Sequence, residues 1–231
     1  MRNPREEKDQ HSRDSSANER IGVDDRPPPD GTYHARVGVG EIAVVVGAYA
    51  IGSFPTAQLV GRRVGHDPLL EGSGNPGASN VYRTAGRAAG LVVLLGDAAK
   101  GAVPTLVALL VAGRGLAAVC WLAAVVGHVA PLRRGLRGGK GVATAAGGAA
   151  ILYPVIALAL GAVFALVVRR RRVPALGSLA MAVLLPVLVA VTGHPGWESA
   201  VAVTVSALVI SRHHGNIRRL LSGTERSLPG R

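Results

Sequence analysis

The chain has 231 residues, 48% of them hydrophobic and only 17% charged, with a mean hydropathy of +0.32 and a net charge of +12. Aromatic residues make up 3%, which leaves little to stack on bases, and the single cysteine excludes an internal disulfide; a nucleic-acid binder and a disulfide-stapled secreted domain are both set aside. The basic residues instead flank long apolar runs, as membrane orientation and contact with anionic lipid require.

Residues 1–39 form a polar tail. Positions 1–37 hold seven basic and eight acidic residues, almost no large apolar ones, and the run Pro27-Pro28-Pro29. Such a segment buries too little to offset its chain entropy and reads as disordered. The first apolar segment lies behind this tail without a basic stretch at the chain start, so a cleaved signal peptide is not expected.

An all-α integral membrane domain is expected over 40–227, with 228–231 as a C-terminal end. Apolar stretches at 40–60, 87–112, 115–132, 141–168, 175–192 and 198–212 are candidate spans. The spans 87–112 and 115–132 are separated so briefly that they form a tight antiparallel hairpin around Gly113-Arg114-Gly115. The stretch 141–168 is too long for one ~30 Å crossing. Gly147-Gly148 and Pro154 interrupt it, and proline inside a helix removes a hydrogen bond. Two short helices turning near Tyr153-Pro154 give seven crossings or half-crossings. With seven, Arg62-Arg63, Arg83/Arg87, Arg133 to Lys140, Arg169 to Arg172 and Arg212 to Arg219 share one side; with six they do not. The positive-inside rule selects seven, with the N-terminus outside and the C-terminus cytoplasmic.

Polar motifs then converge on the cytoplasmic face. The run Gly72-Ser73-Gly74-Asn75-Pro76-Gly77-Ala78-Ser79-Asn80, closed by Arg83, reads as a glycine-rich loop and an anion cradle: backbone N–H groups converge, Ser and Asn add donors, and Arg adds a phosphate-shaped charge. A plain connector whose arginine marks the inside face is the alternative. A second run, Gly138-Gly139-Lys140-Gly141, opens a helix, whose N-terminus favours phosphate. It is not a nucleotide P-loop, because Gly135 and Gly139 enclose three residues rather than four and Gly141 stands where Ser or Thr would bind magnesium. Asp97 and Lys100 are spaced for an ion pair on one helix face. His128 precedes Pro131 at a span end and could orient a loop or simply be a satisfied interfacial histidine. Ser178 could merely back-bond to its own helix. His213 and Asn216 are three apart, on one face of an amphipathic end. No cluster has metal-ligand spacing, and no Gly-x-Ser-x-Gly elbow occurs.

Taken in order, Gly72 to Asn80 with Arg83, Asp97-x-x-Lys100-Gly101, Gly127-His128-x-x-Pro131, Gly139 to Thr144, Leu176-Gly177-Ser178, and His213-x-x-Asn216-Ile217-x-Arg219-Leu220-Leu221-x-Gly223-x-Glu225 closely resemble the PlsY family of bacterial glycerol-3-phosphate acyltransferases. The resemblance implies a seven-helix enzyme of the bacterial cytoplasmic (inner) membrane, with its active face cytoplasmic. It implies transfer of an acyl chain from acyl phosphate to the sn-1 hydroxyl of glycerol 3-phosphate, giving lysophosphatidic acid and phosphate, the first step of phospholipid synthesis. The partners implied are those two substrates and membrane lipid; no cofactor or metal is called for. By position, Ser73, Arg83, Lys140, His213 and Asn216 would be catalytic, and Gly72, Gly74, Asn75, Asn80, Gly139, Gly141 and Ser178 would bind substrate. Ser79 stands where Thr is common, Ala130 where an aromatic is usual and Ala175 where a serine is common. A small-anion or phosphate transporter is the competing class; it accounts for basic loops and seven spans but not for polar residues gathered on one face.

Overall fold

The structure, a computed structural model, describes residues 38–228. The expected disordered tail lies outside the described residues except for its last two positions, and so does the C-terminal end beyond Leu228. The described residues are helical: α1 Val39–Gly52, α2 Thr56–Arg63, α3 Ala78–Val129, α4 Val142–Leu152, α5 Pro154–Arg171, α6 Pro174–Val191, α7 Gly196–Ser211 and α8 His214–Leu221, with a short 3-10 turn at Leu132–Arg134. Three stretches are long and apolar enough to cross a membrane: Val39–Arg63, Ala78–Arg134 and Pro174–Val191. Val142–Leu152 and Gly196–Ser211 are shorter apolar helices.

The first span breaks earlier than the apolar run suggests. Pro55 has no N–H to continue the helix and disfavours helical backbone at Phe54. The chain turns through Ser53-Phe54-Pro55 and restarts as α2, a short amphipathic helix ending in Arg62 and Arg63.

Helix α3 is not straight. Gly86 and Gly113 have positive φ (89° and 78°) inside it. Asp97 and His128 are 31 residues apart, about 46 Å along a continuous helix at 1.5 Å per residue. Their side chains nevertheless approach within 3.8 Å. The chain therefore folds back at Gly113, and the expected hairpin is present with Arg114 at its tip. Tyr153 (φ −137°, ψ 64°) separates α4 from α5, and Pro154 opens α5 at a position where its missing N–H costs nothing. The break expected near Tyr153-Pro154 is thus where one long stretch becomes two helices.

Contacts fix the direction of each pass. Tyr49 near the end of α1 donates to the Ala130 carbonyl at the end of α3 (2.8 Å), so these ends lie together. Arg114 donates to the Leu152 carbonyl at the end of α4 and to Glu198 at the start of α7, which places those three at the opposite end. The α1 unit, two limbs of α3, α4, α5, α6 and α7 then make seven alternating passes. Helix α4, at 11 residues, is about 16 Å long and only half a crossing. It leans on both limbs of α3: Gly101 abuts the Thr144 carbonyl, Gly147 the Ala98 carbonyl and Gly148 the Trp121 ring, leaving no room for a side chain at any of the three. Trp121 also donates to the Ala145 carbonyl at 3.0 Å. Small residues at helix contacts supply the close packing that lipid cannot drive.

At the end away from the polar loops, Arg114 grips Glu198 with two bonds of 2.7 Å, and its guanidinium lies over the Tyr153 ring at 5.5 Å. The Glu198 side chain is 2% exposed. Removing one partner of such a pair strands a buried charge, whereas replacing both can be neutral. Arg114→Met should lower unfolding stability in detergent by about 3 kcal/mol, and Arg114→Met/Glu198→Met should recover most of it. Thermal melts of the two variants check this; a loss in the double variant equal to or larger than that of Arg114→Met would contradict it.

Candidate functional site

The glycine-rich segment after α2 is shorter as a loop than its composition suggests. Residues Ala78 to Ala85 are helical, so Asn80 and Arg83 project from the first turns of α3 rather than from the loop. Gly77 precedes that helix in extended backbone, and Ala78, Ser79 and Asn80 need nothing but helical φ/ψ. The loop proper is held by Asn80. Its Oδ1 accepts the Ser73 N–H (2.8 Å), and its Nδ2 donates to the Pro68 and Glu71 carbonyls, both at 3.0 Å. Both donors of the amide are committed to backbone, and the residue is 1% exposed. Gly72 has φ 62°, and a Cβ there would strike Asn80 Oδ1. Gly74 (φ 68°) likewise occupies left-handed backbone.

The second run comes back against the end of α3. Gly138 and Gly139 N–H groups donate to the Val129 and His128 carbonyls at 3.0 and 3.1 Å. From the other side, Arg212 donates to the Gly138 carbonyl at 3.0 Å and the Gly139 carbonyl at 3.3 Å. Gly141 (φ 80°) then caps α4. Lys140 is held between these fixed glycines. Burial outweighs its attraction to Glu225, and Arg219, Arg83 and Arg212 add repulsion, so its pKa drops from 10.5 to about 8.

Helix α7 ends at Ser211, and His213 caps α8 across the break. Its Nδ1–H donates to the Val209 carbonyl at 2.7 Å, which leaves Nε2 as the acceptor. Burial, chiefly, and the Lys140 charge hold its pKa down at about 4, so the ring is neutral at pH 7. Asn216 donates to Glu225 Oε1 at 2.8 Å, and Arg219 donates to Glu225 Oε2 at 2.9 Å. The segment after α8 is tied across this end of the bundle by the Leu228 N–H, which donates to the Arg172 carbonyl at 2.7 Å.

Ser73, Asn75, Asn80, Arg83, Lys140, Gly141, Ser178, His213 and Asn216 all line one cavity of about 280 Å³. They come from four separate parts of the chain. Gly72, Gly74 and Gly139 do not line it; they shape the loops that do. Ser178 lines it while its hydroxyl back-bonds to the Pro174 carbonyl at 2.9 Å, the bland alternative for this serine. The wall also includes Asp97, His128, Phe164, Glu225 and Arg226, which the sequence reading did not place in the site. Glu225 stood within a quoted motif and was a signal that could have been used. Asp97 and Lys100 do form the expected ion pair, at 2.6 Å. A narrow apolar cleft of about 30 Å³ shares Val142, Ala146, Ser178 and Met181 with the cavity and runs on between α4, α5, α6 and α7 past Ala149, Leu160, Leu185 and Val205.

Residues 42–223 match the family model described as glycerol-3-phosphate acyltransferase. The chain belongs to the glycerol-3-phosphate acyltransferase family. The enzyme of that name from Syntrophotalea carbinolica is 45% identical over 186 residues, covering 79% of this chain and 94% of that protein. The one from Thioalkalivibrio sulfidiphilus is 46% identical over 189 residues, covering 79% and 91%. Among solved structures, PlsY (YgiH), an integral membrane glycerol 3-phosphate acyltransferase, superposes in its glycerol 3-phosphate form with a TM-score of 0.79 at 34% identity, covering 82% of this chain and 96% of that one. Its lysophosphatidic acid form gives a TM-score of 0.77. This chain is accordingly an all-helical integral membrane protein of the same fold.

Asn80→Ala would strip three backbone groups of their partners at once. Each such group left buried costs about 1–3 kcal/mol. Loop 68–77 should become accessible to limited proteolysis while the rest of the bundle stays protected; an unchanged digestion pattern would contradict the assigned role.

Proposed function

We propose that this protein transfers a fatty acyl group from acyl phosphate to the sn-1 hydroxyl of glycerol 3-phosphate, releasing lysophosphatidic acid and inorganic phosphate. One observation carries the reading: a single cavity joins Arg83, Lys140, Ser73 and Asn216 to an apolar cleft. A phosphate head suits the first part, and the apolar lining of the narrow cleft suits the start of an acyl chain. The family membership and the two ligand forms of the PlsY relative support the acceptor and the product.

Both substrates are anions, and the cavity wall is basic. Arg83 and Lys140 hold phosphate, with Ser73, the loop N–H groups and the first-turn amides of α4 completing the cradle. His213 Nε2 accepts a hydrogen bond from the glycerol hydroxyl and aims it at the acyl carbonyl. A histidine with a pKa of about 4 is a weak base at neutral pH, so orientation is its task. The hydroxyl oxygen attacks the carbonyl carbon, the carbon–oxygen bond to phosphate breaks, and the leaving phosphate carries away the electron pair and accepts the hydroxyl proton. Acyl phosphate is already activated, so holding two reactants in line supplies the main lowering of the barrier, up to ~7–11 kcal/mol. We further propose that the first described residues lie outside and the basic loop face lies in the cytoplasm, in the bacterial inner membrane. The run Arg169 to Arg172 and the basic residues around α8 support that sidedness.

Purified protein given palmitoyl phosphate and labelled glycerol 3-phosphate should form lysophosphatidic acid, and Lys140→Ala should not. Lys140 loses its proton as pH rises through about 8, so KM for glycerol 3-phosphate should climb above that pH. Lys140→Arg should remove the rise, because a guanidinium stays charged throughout. Folded protein that forms no product from acyl phosphate or acyl-CoA would overturn the reading and favour transport of a small anion.

A further inference from the structure

We infer that His128 is a positioning residue of this site: its ring fixes the Gly138-Gly139 turn and so places Lys140 against the phosphate. The inference rests on the acyl-transfer reading above and adds a residue to it.

His128 lies in the last turn of α3, with its side chain 6% exposed, and it lines the cavity. Its own carbonyl accepts the Gly139 N–H at 3.1 Å. The ring occupies the volume that a Cβ on Gly139 would need, against Nε2 itself. Backbone and side chain of one residue thus contact the glycine that precedes Lys140. Arg212 holds the carbonyls of the same two glycines from the opposite side. The polar backbone atoms of Gly138 and Gly139 are therefore all engaged, and the turn is clamped between the ends of α3 and α7.

Behind the ring stands Asp97, whose Oδ1 lies 3.8 Å from His128 Nδ1 and 2.6 Å from Lys100 Nζ. The Asp97 carbonyl accepts the Thr144 hydroxyl at 2.9 Å, and Thr144 is in the first turn of α4. The residues on both sides of Lys140 are consequently referred to one point on α3: Gly139 through His128, and Thr144 through Asp97. The ring is thus packed between Gly139 on its Nε2 side and Asp97 on its Nδ1 side.

The test is affinity for glycerol 3-phosphate, measured by isothermal titration calorimetry on the full chain in detergent micelles. Wild type, His128→Ala, Lys140→Ala and the double variant form a cycle. His128→Ala should weaken binding about tenfold or more, since a small misplacement of a charged group is costly. If it acts through Lys140, the double variant should bind no more weakly than Lys140→Ala, to within about twofold. Gly139→Ala pushes on the ring from the loop side and leaves the His128 side chain in place, and it should weaken binding to the same extent; this keeps the test decisive where His128→Ala does not fold. Losses that simply multiply in the double variant, or wild-type affinity in Gly139→Ala, would overturn the inference. Wild-type protein that binds no glycerol 3-phosphate would overturn the acyl-transfer reading, and this inference with it.

Discussion

In a lipid-embedded protein, irregular backbone must find its hydrogen bonds within the protein. The polar end of this bundle is organised around that constraint. The loop before α3 is irregular, and Asn80 answers three of its backbone groups. The turn before α4 is irregular, and α3 and Arg212 answer Gly138 and Gly139 from two sides. In each case the residues that satisfy the backbone also fix a cation or a hydroxyl beside the cavity. Rigidity of the binding groups is a consequence of satisfying backbone where water is scarce.

Charge follows a matching logic. Asp97 and Lys100 neutralise each other, and so do Arg114 and Glu198 at the far end. Around the cavity Arg83, Lys140 and Arg226 outnumber Glu225. A cavity whose burial, and less so its neighbouring arginines, pushes a lysine down to about 8 is one in which an incoming phosphate is welcome, because the anion offsets what disfavours the ammonium. Glu225 holds Asn216 and Arg219 in place from within that field.

Much of this was legible in the residues. Pro154 announced the break between α4 and α5, and Gly113-Arg114-Gly115 announced the reversal in α3, because proline and glycine act locally on backbone. The cations Arg83 and Lys140 stood out because charge is scarce in an apolar chain. The end of the first loop was misplaced: Ala78 to Asn80 carry loop-like neighbours but no intrinsic bar to helix. His128 could be read as orienting a loop and Glu225 stood within a quoted motif, but the partner of neither was legible. Each is bland beside its own neighbours in sequence, and each gains meaning only from a residue that the fold brings in, Gly139 in one case and Asn216 in the other. Arg212 was counted as an orientation charge and proved to be a clamp on backbone carbonyls for the same reason.

The central claim is direct transfer between two bound anions, with no acyl group parked on the protein. The most direct measurement is rapid-quench phosphate release from acyl phosphate when glycerol 3-phosphate is withheld. Direct transfer predicts no burst, and phosphate that appears only when glycerol 3-phosphate is added. A burst of one equivalent per protein, with the acyl group recovered covalently on the chain, would contradict it.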